Sequence, residues 1–284
     1  MFRKAKAQGA VVGYAHAIGG GRDPVAGNLG GAKEFAMDAA LGALDTLEWA
    51  SSSRASLLVW HHALNNDFRI APVGGEDAKL DFQRHTLTGS MRTYAYTGKS
   101  LTGASWIDAI RAGRTFFSNG PLLEFKVNGR LPGDSIKLPE SGGAVTLEGK
   151  IWSTRRLTKA VVWYNGKVWK EIALSGDRLS AEFREQATLS GSGWFSLSVE
   201  GAAGEGADGA FLQAATNAIR VYAGDKKIRN RASAEYFVRW IDKLQPMAAK
   251  SIGWRSQQEK DKVFAQLSEA RRVYERLAAE APGN

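Results

Sequence analysis

The chain has 284 residues, 44% of them hydrophobic and 24% charged, so it has the composition of a globular protein with room for two modest domains rather than a disordered or fibrous one. It lacks cysteine, which excludes disulfides and thiolate metal ligation and leaves His, Asp, Glu and Lys to build any site. Its net charge of +9 is concentrated at the end: thirteen basic and seven acidic residues lie from Lys226 onward. Basic residues scattered on amphipathic helices form solvated faces, and with no recognition motif beside them this distribution argues against nucleic acid as a partner. No apolar run approaches the ~18 residues of a membrane span. Met1–Gly20 has no apolar core followed by a cleavage site, so the default expectation is cytoplasmic, or exported if a leader lies upstream.

The first third alternates strand and helix patterns. Ala10–Ala15 reads as a short strand, Gly19–Gly31 as a glycine-rich loop, Ala32–Leu44 as a helix, Asp45–Trp49 as a strand, Arg54–Asn65 as a helix and Phe68–Val73 as another strand. Met91–Tyr96 and Arg114–Ser118 give two more strands around a helix that Thr102 caps and Gly113 ends. After Asn119-Gly120-Pro121 the period changes to two. Leu123–Val127, Val145–Trp152, Lys159–Tyr164, Lys167–Leu174, Leu179–Phe183, Trp194–Val199 and Ala218–Tyr222 read as strands of an immunoglobulin-like β-sandwich, with Asn165-Gly166 as a two-residue hairpin turn. Two apolar stripes follow, Tyr236 to Met247 and Val263 to Leu277, the second opened by a Ser256–Glu259 capping box. They suit a helical hairpin packed on the body or an oligomer contact.

The chemistry-bearing residues sit at strand ends. His16 follows the first strand and precedes glycines, Glu48 ends the second, and Gly74-Gly75-Glu76-Asp77 ends the third. In α/β folds the carboxyl ends of strands hold ligands, so a histidine and carboxylates placed there can converge on a divalent metal. Taken singly, each has a structural explanation: a hydrogen-bonded core histidine, a turn aspartate, a surface ion pair. His61 and His62 are adjacent on a helix, point roughly 100° apart, and read as packing and surface residues. His85 lies in a polar loop. Trp152, Trp163, Trp169 and Trp194 could form an exposed row for saccharide or fill the sandwich core.

These segments, together with Asn28-Leu29-Gly30, Leu44-Asp45-Thr46-Leu47-Glu48, Arg92-Thr93-Tyr94, the run Ala112-Gly113-Arg114-Thr115-Phe116-Phe117-Ser118-Asn119-Gly120-Pro121, and Pro132-Gly133-Asp134, resemble the carbaryl-hydrolase-type (CehA/McbA) branch of the PHP metallohydrolase superfamily. The resemblance covers nearly the whole chain. It implies an incomplete PHP-type β/α barrel over residues 1–120, an immunoglobulin-like sandwich over 121–224 and C-terminal helices over 225–284. It also implies metal-dependent hydrolysis of an ester, amide, carbamate or phosphoester, with zinc, manganese or iron as cofactor. His16 and Asp77 match metal ligands of the family; Glu48, Glu76, Lys79, Arg114 and Asn119 are pocket candidates.

Lys79 stands where the family has a ligand histidine, and Ala17 stands for its proline. The family's His-x-His would lie upstream of this chain, in a preceding segment or a partner that completes the barrel. The expectation is therefore a hydrolase homologue that is catalytically incomplete as a single chain, with Lys79 pairing Asp77 in place of a metal. The alternative is a non-catalytic binding or scaffold protein that uses the sandwich for a saccharide or a protein.

Overall fold

Alternating apolar segments and glycine turns organise the start of the chain. The computed structural model describes residues 1–78, 87–207 and 209–282. Helix α1 (Phe2–Lys6) precedes strand β1 (Gly13–Tyr14); α2 (Phe35–Ala40) connects it to β2 (Thr46–Trp49), and α3 (Arg54–Leu64) connects that to β3 (Ala71–Gly74). The three strands are parallel in the order β1-β2-β3, with Tyr14 beside Leu47 and Trp49 beside Gly74. Ser53 caps α3 by accepting the Ser56 N–H at 3.0 Å. The same hydroxyl bonds the carbonyls of Ile18 and Gly20, which ties the loop after β1 to the start of α3.

Beyond β3 come β4 (Arg92–Ala95), α4 (Gly103–Arg111) and β5 (Thr115–Ser118). Strands β4 and β5 pair antiparallel and approach β3 through hydroxyl groups rather than a ladder. Thr93 Oγ1 accepts the Gly74 N–H at 2.9 Å and donates to the Gly74 carbonyl at 2.8 Å, while Thr115 Oγ1 donates to the Pro72 carbonyl at 2.9 Å. Pro72 has no N–H to offer a ladder on that side, and its carbonyl is met by the Thr115 hydroxyl instead. The α4 cap forms as the sequence indicates: the Thr102 hydroxyl accepts the Ser105 N–H, and Gly113 after it has φ +71°.

The remaining strands are β6 (Leu122–Val127), β7 (Ser135–Leu138), β8 (Gly143–Trp152), β9 (Leu157–Tyr164), β10 (Lys167–Glu171), β11 (Ser180–Leu189), β12 (Gly193–Gly201), β13 (Gln213–Thr216) and β14 (Ile219–Ala223). One sheet has the order β11-β8-β6; the other runs β10-β9-β12-β13-β5-β4, with β14 joining β12 to β7. Leu123, Phe125, Leu147, Ile151, Val162, Phe195, Leu197 and Ile219 fill the space between the two sheets. Asn165 and Gly166 take φ +50° and +77°, the left-handed pair that a two-residue turn between β9 and β10 requires. The strands β4 and β5 belong to this large sheet, so one hydrogen-bonded layer crosses residue 120.

Helices α5 (Arg231–Ala249) and α6 (Gln257–Glu280) fold back over α2 and α3. Trp240 Nε1 donates to the Lys33 carbonyl at 2.7 Å, Tyr274 Oη donates to the Ala36 carbonyl at 2.7 Å, and both rings are fully buried. At the start of α6 only half of the expected capping box forms. Ser256 accepts the Glu259 N–H, while the Glu259 carboxylate reaches the Arg255 N–H instead of the cap residue's own. The architecture is thus a mixed α/β layer, a β-sandwich and C-terminal helices. Among the described residues no helix is long and apolar enough to cross a membrane.

Candidate functional site at the strand ends

Two residues beyond β1 the chain turns sharply at His16, whose φ is +50°. Left-handed backbone is costly for most L-residues but is tolerated by His more readily than by branched side chains. The turn is held from β2: Glu48 Oε2 accepts the His16 N–H at 2.7 Å and lies 3.6 Å from its Nδ1. The imidazole is 44% exposed and the carboxylate 21% exposed. The next strand end closes on the same carboxylate, because Gly75 packs so tightly that a Cβ there would collide with Glu48 Oε1. Its N–H donates to the Trp49 carbonyl at 3.1 Å. His16, Glu48 and Gly75 therefore bring the ends of all three parallel strands together.

The acidic pair that follows divides in two directions. Glu76 accepts the Gly89 N–H with one oxygen and the Met91 N–H at 3.1 Å with the other, fastening the approach to β4 onto the end of β3. Asp77 is exposed and makes no hydrogen bond or ion pair among the described residues. Lys79, expected to pair with it, and His85 lie outside the described residues.

Asn119 is buried and holds loops together. Its Nδ2 donates to Ser52 Oγ at 2.9 Å and to the Phe211 carbonyl at 2.8 Å, and its Oδ1 accepts the Gln213 N–H at 2.7 Å. Through Ser52 it braces the segment that follows β2. Arg114 stands apart from His16 and Glu48, on a cleft beside the β4–β5 pair, with Asp134 3.7 Å away.

A catalytic zinc takes three protein ligands and a structural one takes four. Among the described residues no three His, Asp or Glu side chains converge on a point where a metal could sit. His16 and Glu48 supply a solvent-accessible imidazole backed by a carboxylate, but as a pair they do not fit a hydrolytic zinc, manganese or iron centre.

The other sequence candidates occupy packed positions. His61 is buried among Trp60, Trp163 and Trp194, and burial lowers its pKa to about 3. His62 stacks on Tyr236 at 4.0 Å with its Nδ1 2.9 Å from Ser233 Oγ; burial brings it to about 4. The exposed tryptophan row does not form. Trp194 is fully buried under α3, Trp163 is half-buried against His61, Trp169 packs on Phe195, and only Trp152 of the four is exposed. Alternation along a strand told which residues share a face, but not that α3 covers that face.

Sequence reading did not point to the cleft beside the β4–β5 pair, about 580 Å³ in volume. Its signal was the pair Tyr94 and Phe116, which are opposite in the β4–β5 register and stack with ring centroids 4.5 Å apart. No protein-family model matches this chain, and no curated protein matches it.

Proposed function

We propose that this chain is a homologue of PHP-type metallohydrolases of the carbaryl-hydrolase branch, with an immunoglobulin-like sandwich attached, and that its hydrolytic centre is incomplete in the single chain. The observation that carries this reading is the meeting of His16, Glu48 and Gly75 at the carboxyl ends of three adjacent parallel strands. That is where an α/β hydrolase gathers its ligands, yet Glu76 is committed to two backbone N–H groups and Asn119 to loop bracing. On this reading the parallel layer descends from a hydrolase scaffold, and His16 and Glu48 are what is left of its site. A complete relative would use a metal to activate water toward an ester, amide, carbamate or phosphoester.

The test is elemental analysis after loading with zinc, manganese or iron, beside chelator-sensitive hydrolysis of p-nitrophenyl acetate and p-nitrophenyl phosphate. The reading predicts sub-stoichiometric metal and no chelator-sensitive turnover. A stoichiometric metal that His16→Ala removes, accompanied by turnover, would overturn the incompleteness. The alternative, a binding protein that uses its sandwich, is favoured by one specific feature, the aromatic cleft; the buried Trp194 removes the indole row that argued for saccharide.

A further inference from the structure

A concavity lies away from His16 and Glu48, in the opening between the antiparallel β4–β5 pair of one sheet and β6, an edge strand of the other. Its volume of about 580 Å³ falls in the range of small-molecule sites, ~300–1,000 Å³. One wall carries the stacked rings of Tyr94 and Phe116, which are half-buried and leave ring surface on the cleft. Tyr96, Leu131 and Pro132 extend the apolar lining. A largely apolar concavity with an aromatic wall and a few polar groups is the usual form of a small-molecule site.

The polar groups of the lining are unequal. Thr115 Oγ1 is engaged with the Pro72 carbonyl and Thr216 Oγ1 with the Leu197 N–H. Glu124 stands opposite Lys150, and Lys126 opposite Glu148, across the β6–β8 ladder, so each faces an opposite charge within its own sheet. Arg114 differs. Among the described residues its guanidinium makes no hydrogen bond; Asp134 stands 3.7 Å from Nε, and the other oxygen of Asp134 accepts the Leu131 N–H. A half-exposed guanidinium fork beside an aromatic wall is equipped to take a planar anion, because two parallel N–H donors match the two oxygens of a carboxylate.

We infer that this cleft binds a small aromatic carboxylate, with the ring against Tyr94 and Phe116 and the carboxylate on Arg114. The inference does not rest on the metal reading, since none of the cleft residues contacts His16 or Glu48.

The experiment is isothermal titration of the full chain with indole-3-acetate, its neutral analogue indole-3-acetamide, and acetate. Saturable binding is expected for indole-3-acetate, about tenfold tighter than for the amide, with acetate showing none. Arg114→Gln should bring the acid and the amide to near parity, and Tyr94→Ala should weaken both. Circular dichroism melting confirms that each variant is folded; if Arg114→Gln does not fold, Arg114→Lys serves in its place and should lower the acid's advantage while keeping a charge. His16→Ala should leave the titration unchanged, which separates this site from the strand-end pair. The proposal is overturned if indole-3-acetate fails to saturate, if acid and amide bind equally, if acetate binds as well as either, or if the folded arginine variant keeps the full preference.

Discussion

Glu48 spans two strand ends, receiving the His16 N–H at 2.7 Å while its other oxygen lies against the backbone of Gly75. A charge-assisted bond of this kind contributes about 1.5–3 kcal/mol, and here it also offsets the cost of a left-handed histidine. Glu48→Ala should lower the unfolding free energy by about 2 kcal/mol, and Glu48→Gln, which keeps an acceptor, by about half of that. Urea denaturation at neutral pH reads both. Equal losses would show that the charge alone holds the turn, and no loss in either variant would show that the Glu48 contact is unimportant there.

Gly75 is the other half of the same contact. A methyl group there must push the Glu48 carboxylate aside, so Gly75→Ala should cost about 1–3 kcal/mol. The collision needs both residues. In a double-mutant cycle with Glu48→Ala the combined loss should be smaller than the sum of the single losses by about 1 kcal/mol, whereas additive losses would mean that the two positions do not meet as described.

Asn119 invites a sharper distinction, because a pocket residue and a structural one respond differently to truncation. Asn119→Ala would strand the Gln213 N–H in a buried place, while the Phe211 carbonyl would keep the Ser52 hydroxyl as its second donor, and one uncompensated group costs about 1–3 kcal/mol. The variant should therefore lose about 1–3 kcal/mol of stability in thermal or urea unfolding. Its titration by indole-3-acetate should be unchanged wherever it is folded. A stable variant with altered ligand binding would place Asn119 in a site rather than behind one.

The parts of the fold that were legible in sequence are those fixed by local chemistry. Asn165-Gly166 adopts positive φ because the turn has no other solution, and Thr102 caps its helix because the first N–H groups need acceptors. Strands that owe their existence to neighbours were not visible. Gln213–Thr216 is a strand of small and polar residues with no alternation to announce it, yet all four are buried because β12 and β5 flank them. Ser135–Leu138 forms only because β14 offers a parallel edge.

The same split runs through the site. The strand-end positions of His16, Glu48 and Glu76 followed from pattern. What each carboxylate would accept did not, since Glu48 and Glu76 spend their oxygens on backbone N–H groups brought by the turns around them.

His61, buried, and His62, half-buried, both on α3, make the fold sensitive to acid. His61 and His62 are held near pKa 3 and 4, principally because burial disfavours their charged forms. His62 lowers His61 further, whereas at His62 the attraction of Asp23 opposes the shift and Arg239 adds to it. Both folded values lie below the unfolded histidine's value of 6.5, so between them the unfolded chain binds more protons. Their contribution is complete above pH 6.5 and is lost as the pH falls toward 4, at about 1 kcal/mol per pH unit for each histidine. His62→Gln removes one of the two protons from this balance. Urea midpoints from pH 7 to 4 should then fall less steeply in the variant than in the parent, even though the lost stack on Tyr236 makes the variant less stable at pH 7. Parallel pH profiles would show that His62 takes up its proton at the same pH in the folded and unfolded chains, and would overturn this account of its burial.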